Sequence, residues 1–479
     1  MKKKSSYIIT IVCLFIAVAT TIIIQWLYNS FGNLTINEIV FQLKVPMKGT
    51  STQMVWNFLI KCPWKIILIT GILAFVLIYP TKKAQKSLKI STIASILILI
   101  ISTTRIVIIT DVAGYIASQV KTSSFIEQEY VNPENVEIRF PGQKRNLIYI
   151  FLESMETTYY SKKDGGLSDQ DLIPEISKLA KQNLNFSENN TIGGAYTPYG
   201  TTWTVAAMTA QTAGIPLKIS IEDNSLSEYS TFLEGAHTIG EILEENGYKN
   251  FLLLGSDATF GGRRNLFTQH GNYEIWDFES AVKEGKETEQ IWWGYTDDKL
   301  FGYAKEKLIN LSKQEQPFNF TMLTADTHFQ DGYKCNDCLE KWDEQYKNVI
   351  SCSSKQVGKF IEWIKQQEFY ENTTIVIAGD HLTMQTGFFE TEEYEKKVVN
   401  IIINPAIEVQ NTKRAYSTMD LYPTTLGAIG VEIEGNKLGL GTNIFSEEKT
   451  LIEKYGLEYI DNELKKTSKF YDNNILISN

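Results

Sequence analysis

Four apolar runs in this chain end in residues that can hold a metal or move a proton. NLIYIFLE closes on Glu153, FNFTMLTADTH on Asp326 and His328, and TTIVIAGDH on Asp380 and His381. NFLLLGSD reaches Asp257 and then runs into Gly261-Gly262-Arg263-Arg264. Any one of these polar residues alone reads as a loop acid or a helix cap. Glu153, Asp380 and His381 together describe a site, because parallel strands bind ligands outside their carboxyl ends. Two carboxylates, an imidazole and a hydroxyl form a mixed oxygen and nitrogen set for a divalent metal: Mn2+, Mg2+ or Zn2+. A metal beside a hydroxyl lowers its pKa, makes it a nucleophile toward phosphorus, and neutralises charge on the transferred group.

The hydroxyl is sought in YGTTWTVAAMTAQTAGIP (Tyr199–Pro216), which carries five threonines. Gly200 followed by small, helix-compatible residues places a helix start, and so a backbone-donor pocket, nearby. Residue chemistry leaves Thr201, Thr202 and Thr204 open, with Thr209 and Thr212 as helix or packing residues. Arg264 reads as a solvated neighbour and His237 as part of a helix start. His270 is ambiguous, and Asp326 either orients His328 or closes a turn.

The elements that must position these groups are legible from their periods. NIIINP (Asn400–Pro405) is a fifth buried strand, and helical spacing predicts helices over Ile239–Tyr248, Lys299–Gln314 and Lys355–Gln367. Strands alternating with helices predict an α/β fold whose mostly parallel central sheet is covered on both faces. The chain is 479 residues long, 43% hydrophobic and 21% charged, which is globular rather than disordered. Its net charge of −10 argues against a broad nucleic-acid surface.

Three apolar runs precede this region: Tyr7–Leu27, Trp64–Tyr79 and Ile90–Ile109, the last carrying Arg105 near its end. They predict three transmembrane helices, the first retained rather than cleaved as a signal peptide. Lys2, Lys3 and Lys4, with Lys82, Lys83, Lys86 and Lys89, mark the cytoplasmic side. The expected organisation is a membrane anchor over 1–110, a juxtamembrane helix and linker over 111–144, an extracytoplasmic catalytic domain over 145–445 and a peripheral tail over 446–479. The protein is expected to be a multi-pass protein of the cell membrane. Cys335, Cys338 and Cys352 cluster in the outer domain, where an oxidising compartment favours a disulfide between two of them over zinc. Cys338 with Cys352 is one candidate pairing; spacing alone does not fix it.

NLIYIFLESMETTYY, GTTWTVAAMTAQTAGIP, the GGRR segment, TADTHFQDGY and IAGDH resemble, in that order, the phosphoglycerol transferase and lipoteichoic acid synthase family. That family lies within the sulfatase and alkaline phosphatase superfamily, and the resemblance covers Lys144–Gly441. The branch it is most similar to decorates periplasmic or surface glucans with phosphoglycerol. The resemblance implies a sulfatase-like domain holding one divalent ion, Mn2+ first, on Glu153, Thr204, Asp380 and His381. It selects Thr204 as nucleophile, assigns head-group contacts to Arg263 and His328, and makes His328 the proton carrier. The implied donor is phosphatidylglycerol, and the acceptor a glycan or polyglycerolphosphate chain at the cell envelope. A phosphoethanolamine transferase or a metal-dependent phosphodiesterase of the same superfamily is the alternative. Where lipoteichoic acid synthases carry a tryptophan two positions before the arginine, this chain has Gly261, so the glycerol pocket is expected to differ. Trp203, Trp292 and Trp293 are candidate aromatic walls, with core or surface roles expected for each. Asp420, in the superfamily's helical packing motif, is expected to be structural. No Cys/Ser-x-Pro-x-Arg element occurs near the site, which argues against sulfate ester hydrolysis.

Overall fold

The computed structural model describes residues 2–31, 39, 52–78, 85–110, 112–218, 231–385, 387–389, 394–409 and 411–476. Lys82 and Lys83 of the expected cytoplasmic loop lie outside them. The described residues divide into two compact units, one reaching to Ala117 and one beginning at Ser118.

The N-terminal unit is built from α1 (Lys2–Phe31), α2 (Thr52–Lys61), α3 (Pro63–Ile78) and α4 (Gln85–Ile109). Among the described residues, three stretches are long and apolar enough to cross a membrane: Ser5–Ser30, Val55–Ile78 and Lys89–Ile109. The second is longer than its apolar run predicts. Pro63 opens a new helix directly after Cys62, so α2 and α3 continue each other and the polar-looking Cys62-Pro63 step falls inside the stretch. Hydroxyls join α1 to α4: Thr10 meets Thr92 at 3.1 Å and Thr21 meets Ser102 at 2.6 Å. Such contacts suit an apolar surround, where helices find little hydrophobic reason to pair.

The second unit holds a seven-stranded sheet. Its strands are β1 (Asn146–Leu152), β2 (Gly194–Ala195), β3 (Lys249–Leu254), β4 (Glu274–Trp276), β5 (Phe318–Leu323), β6 (Thr373–Gly379) and β7 (Val398–Ile403). The order across the sheet is β2-β7-β6-β1-β5-β3-β4. The β6–β1, β1–β5, β5–β3 and β3–β4 pairs are parallel, whereas β7 runs antiparallel to β6 and β2 to β7. NIIINP is therefore a strand as expected, but a reversed one. β2 and β4 are too short to give a periodic signal.

Alternation along β1 sends Leu147, Tyr149 and Phe151 to one core and Ile148, Ile150 and Leu152 to the other. The first core takes α5 (Thr204–Ala213), α6 (Ile239–Glu245) and α7 (Arg263–Gln269). The second takes α8 (Asp297–Leu311) and α9 (Gln345–Ile364). A strand whose two faces are both buried must be apolar throughout, which is why its polar residues collect at the ends.

Two segments differ from expectation. The linker over 111–144 is in part structural: Phe125 and Ile126 are buried and join the first core. The stretch over 446–479, expected to be peripheral, also enters that core through Ile460, Leu464, Tyr471 and Ile475. Its overall polarity hides one apolar stripe on the helix Leu457–Leu464.

Candidate metal centre and nucleophile

Strand register assembles the site. Leu152 pairs with Gly379 and Phe151 with Leu323, so Glu153, Asp380 and the loop after Leu323 leave the sheet side by side. Gly379 has to be glycine, since a Cβ there would lie 2.0 Å from the Met155 carbonyl oxygen. Glu153, Asp380 and His381 are buried, at 2%, 0% and 1% exposure. They offer ligand atoms within 4.8 Å of one another.

His381 Nε2 lies 3.5 Å from Glu153 Oε1, 3.4 Å from Asp380 Oδ2 and 3.4 Å from Thr204 Oγ1. The other ring nitrogen, Nδ1, donates to the Leu382 carbonyl at 2.8 Å, which turns Nε2 toward the oxygens. Asp380 Oδ1 accepts the N–H groups of Ser154 at 2.8 Å and His381 at 2.7 Å. Its Oδ2 is buried and accepts no hydrogen bond. Burial and the neighbouring Glu153 charge push the Asp380 carboxyl up to about 7. Two buried carboxylates facing one imidazole, with an oxygen left over, fit a divalent cation chemically: it would take the orphan oxygen and cancel the repulsion.

Thr204 opens α5, after a turn in which Gly200 has φ +82°. Of the threonines that residue chemistry left open, Thr201 and Thr204 take different partners. The Thr201 hydroxyl is buried and donates to the Pro198 carbonyl at 2.8 Å. Thr209 and Thr212 donate to the Val205 and Met208 carbonyls within the helix. The Thr204 hydroxyl stands at the acid and imidazole cluster.

Arg263, 5% exposed, starts α7. Its Nε donates to the Phe260 carbonyl at 3.0 Å and its Nη2 to the Asp257 carbonyl at 2.9 Å. Burial pulls its pKa down to about 10, while the charges of Asp257, Glu153, Asp277 and Asp380 oppose the fall. It thus stays a cation whose field reaches Glu153 and Asp380. Arg264 is a structural clamp, bonded to Asp277 and 3.6 Å from Asp257.

His328 is half-buried, with its Nδ1 donating to the Phe329 carbonyl at 2.6 Å. The Trp293 ring lies 4.5 Å from the imidazole and 5.2 Å from Phe260, forming one wall beside it. Burial is the main reason its pKa falls to about 4, so the imidazole is neutral near pH 7. Asp326 does not orient His328; its carboxylate goes to the Asp297 N–H.

The sulfatase family's sequence model matches residues 145–431. The chain belongs to the sulfatase family. It is 31% identical over 319 residues to phosphoglycerol transferase I of Escherichia coli, covering 64% of this chain and 40% of that relative. The chain therefore spans less than half the length of the curated relatives it matches. The fold is shared with an alkaline phosphatase superfamily protein from Vibrio parahaemolyticus, at TM-score 0.51 and 22% identity over 66% of this chain and 72% of that one. It is shared too with the lipoteichoic acid synthase LtaP from Listeria monocytogenes, at TM-score 0.51 and 18% identity over 68% and 82%. The expected resemblance and α/β fold hold.

Several supporting residues in this sulfatase-family chain were not visible as such in the sequence. Ser154, at φ +53° and fully buried, donates its hydroxyl to Glu153 Oε1 at 2.7 Å. Thr324 Oγ1 accepts the Glu153 N–H at 3.0 Å, and the Thr327 hydroxyl donates to the Glu153 carbonyl at 2.6 Å. Buried Glu156 accepts from Thr158 and from the Thr383 N–H at 2.8 Å, bracing the chain after His381. Their only signal was proximity in sequence to the acids. As expected, Asp420 is structural: it closes a capping box with Ser417 and accepts the Thr442 N–H. His237 precedes the capped start of α6. A disulfide joins Cys338 to Cys352, leaving Cys335 free.

Proposed function

We propose that this protein is a membrane-anchored, metal-dependent phosphoglycerol transferase. It moves phosphoglycerol from phosphatidylglycerol to a cell-surface glycan or teichoic-acid-type acceptor through a phospho-threonine at Thr204. The observation that supports this reading most is the meeting of Thr204 Oγ1 with His381 Nε2 at 3.4 Å beside two buried carboxylates. The relatives named phosphoglycerol transferase I supply the head group. The anchor over 1–110, the extracytoplasmic domain over 145–445 and the multi-pass topology belong to the same proposal, since a lipid donor has to be met at a leaflet.

Glu153, Asp380, His381 and Thr204 would hold one divalent ion, Mn2+ first with Mg2+ or Zn2+ as substitutes, which supplies charge neutralisation at the phosphoryl group. Arg263, fixed by two backbone carbonyls, aims its remaining charge at the phosphoryl oxygens. In the first step the Thr204 Oγ–phosphorus bond forms as the bond to the diacylglycerol oxygen breaks, and the hydroxyl proton ends on that oxygen. In the second, an acceptor hydroxyl oxygen takes the phosphorus, and its proton passes to Thr204 Oγ. His328 is the carrier: with Nδ1 donating to a carbonyl, its Nε2 bears the lone pair that receives the proton.

The test uses detergent-solubilised full-length protein with head-group-labelled phosphatidylglycerol, and phosphatidylethanolamine in parallel. The reading requires a phosphoglycerol adduct on Thr204 by mass spectrometry and acceptor-dependent transfer. An ethanolamine-phosphate adduct instead would make it a phosphoethanolamine transferase, and head-group release to water regardless of acceptor a phosphodiesterase. In cells, loss of the protein is expected to remove a glycerol-phosphate increment from surface glycans.

A further inference from the structure

Behind the His328 loop a second set of ligating atoms comes together. Asp298, Asp326 and Cys335 offer two carboxylate oxygens and a sulfur within 4.8 Å of one another. Asp326 and Cys335 are 4% and 6% exposed, while Asp298 stands at the surface. Asp326 Oδ2 accepts the Asp297 N–H at 3.1 Å. Asp297 answers with both oxygens, accepting the N–H groups of Ala325 at 2.8 Å and Asp326 at 3.0 Å. Asp297 is thereby satisfied. Asp326 Oδ1 is buried and has no hydrogen-bond partner. Lys299, the lysine next in sequence, pairs with Glu287 instead. Among the described residues, no lysine or arginine forms an ion pair with Asp297, Asp298 or Asp326. A buried carboxylate oxygen with neither donor nor counter-charge is costly, and a cation removes both costs at once.

We propose that Asp326, Asp298 and the Cys335 thiolate bind a second divalent cation, Zn2+, at a site distinct from the Glu153, Asp380 and His381 group. One sulfur with two carboxylate oxygens suits a borderline-soft ion; Mg2+ and Mn2+ favour oxygen alone. The surface position of Asp298 leaves the fourth place to water. Burial, followed by the charges of Asp297 and Asp298, holds the Asp326 carboxyl well above the usual range when no cation is present. The site would act by positioning. It pegs the loop bearing His328 to the start of α8, and the same loop holds Glu153 through Thr327. It would also keep Cys335 Sγ, 3.3 Å from Cys338 Sγ and 3.9 Å from Cys352 Sγ, from exchanging into their disulfide.

Full-length protein in detergent, loaded with Co2+, tests this. We expect two metal equivalents and a thiolate-to-cobalt charge-transfer absorption in the near ultraviolet. Asp298→Asn, an exposed change that leaves the fold intact, should lose that absorption and one equivalent, as should Cys335→Ser. Asp380→Asn should lose the other equivalent and keep the absorption. A single equivalent in the unaltered protein, with no thiolate band, overturns the proposal. So does a band that survives Asp298→Asn but disappears in Cys338→Ser, because the metal would then sit on a reduced cysteine cluster.

Discussion

Thr204 Oγ1 stands 3.4 Å from His381 Nε2, although 177 residues separate them in the chain. The contact exists because α5 begins where β6 ends. Thr204→Ala is expected to lower head-group transfer by roughly three orders of magnitude or more, the scale for losing an activated nucleophile. Thr201→Ala, which removes a hydrogen bond to the Pro198 carbonyl, should cost about 1 kcal/mol of stability and spare turnover. Transfer rates and intact-protein mass spectra of both variants check this. Turnover retained by Thr204→Ala would reassign the nucleophile.

Ser154 fixes the Glu153 carboxylate, which the proposed function makes a metal ligand. Its hydroxyl donates to Glu153 Oε1 and its N–H to Asp380 Oδ1, so it braces two acids from one residue. Ser154→Ala keeps the N–H and loses the hydroxyl. Metal affinity should fall about 10–100-fold, as is usual when a ligand's outer partner is removed. Metal titration followed by thermal shift measures it; unchanged affinity would mean that the backbone alone orients Glu153.

These two examples mark how far the sequence carries. The acids and histidines at strand ends were readable because buried strands are apolar, so polar residues stand out where the sheet stops. The choice of Thr204 was not readable from chemistry. Thr201, Thr202 and Thr204 share a residue type, and it takes the Thr201 bond to Pro198 and the placement of α5 to tell Thr201 from Thr204. Ser154 was invisible because serine after glutamate is ordinary, and its left-handed φ is set by tertiary contacts. The reversal of β7 was equally hidden, since a strand buried on both faces reads the same in either direction. The core role of Tyr471 and Ile475 was masked by the polarity around them.

Arg263 is tied down twice before it meets any substrate. Arg263 reaches the Phe260 and Asp257 carbonyls from two separate nitrogens and keeps a third for the site, whereas lysine presents all its donors from one. Arg263→Lys should therefore reduce kcat/KM about 100-fold, and leave a buried carbonyl unpaired at roughly 1–3 kcal/mol. Steady-state kinetics with the lipid donor and denaturant unfolding separate the two effects. A stability loss with unchanged kinetics would make Arg263 a packing residue.

His270 gives the second unit a pH-dependent brace away from the site. Its Nε2 donates to the Phe232 carbonyl at 2.6 Å, and its Nδ1 is 3.3 Å from Glu241 Oε1. Burial disfavours the imidazolium, but the Glu241 carboxylate and the Phe232 carbonyl outweigh it, so the pKa rises above 6.5. Burial likewise disfavours the Glu241 carboxylate, and His270 with the Thr238 N–H outweighs it, lowering its pKa below 4.5. A histidine whose folded pKa is raised contributes stability that is complete below its unfolded value and is lost as pH climbs through the folded one. The glutamate contribution is complete above its unfolded value and is lost on acidification. The pair therefore stabilises most between pH 4.5 and 6.5 and weakens above that window. His270→Gln keeps a donor for the Phe232 carbonyl and removes the titration. Plotted against pH, the melting-temperature difference between the parent protein and this variant should shrink from pH 6 toward pH 8–9. A difference that stays flat would show that His270 remains neutral in the folded protein.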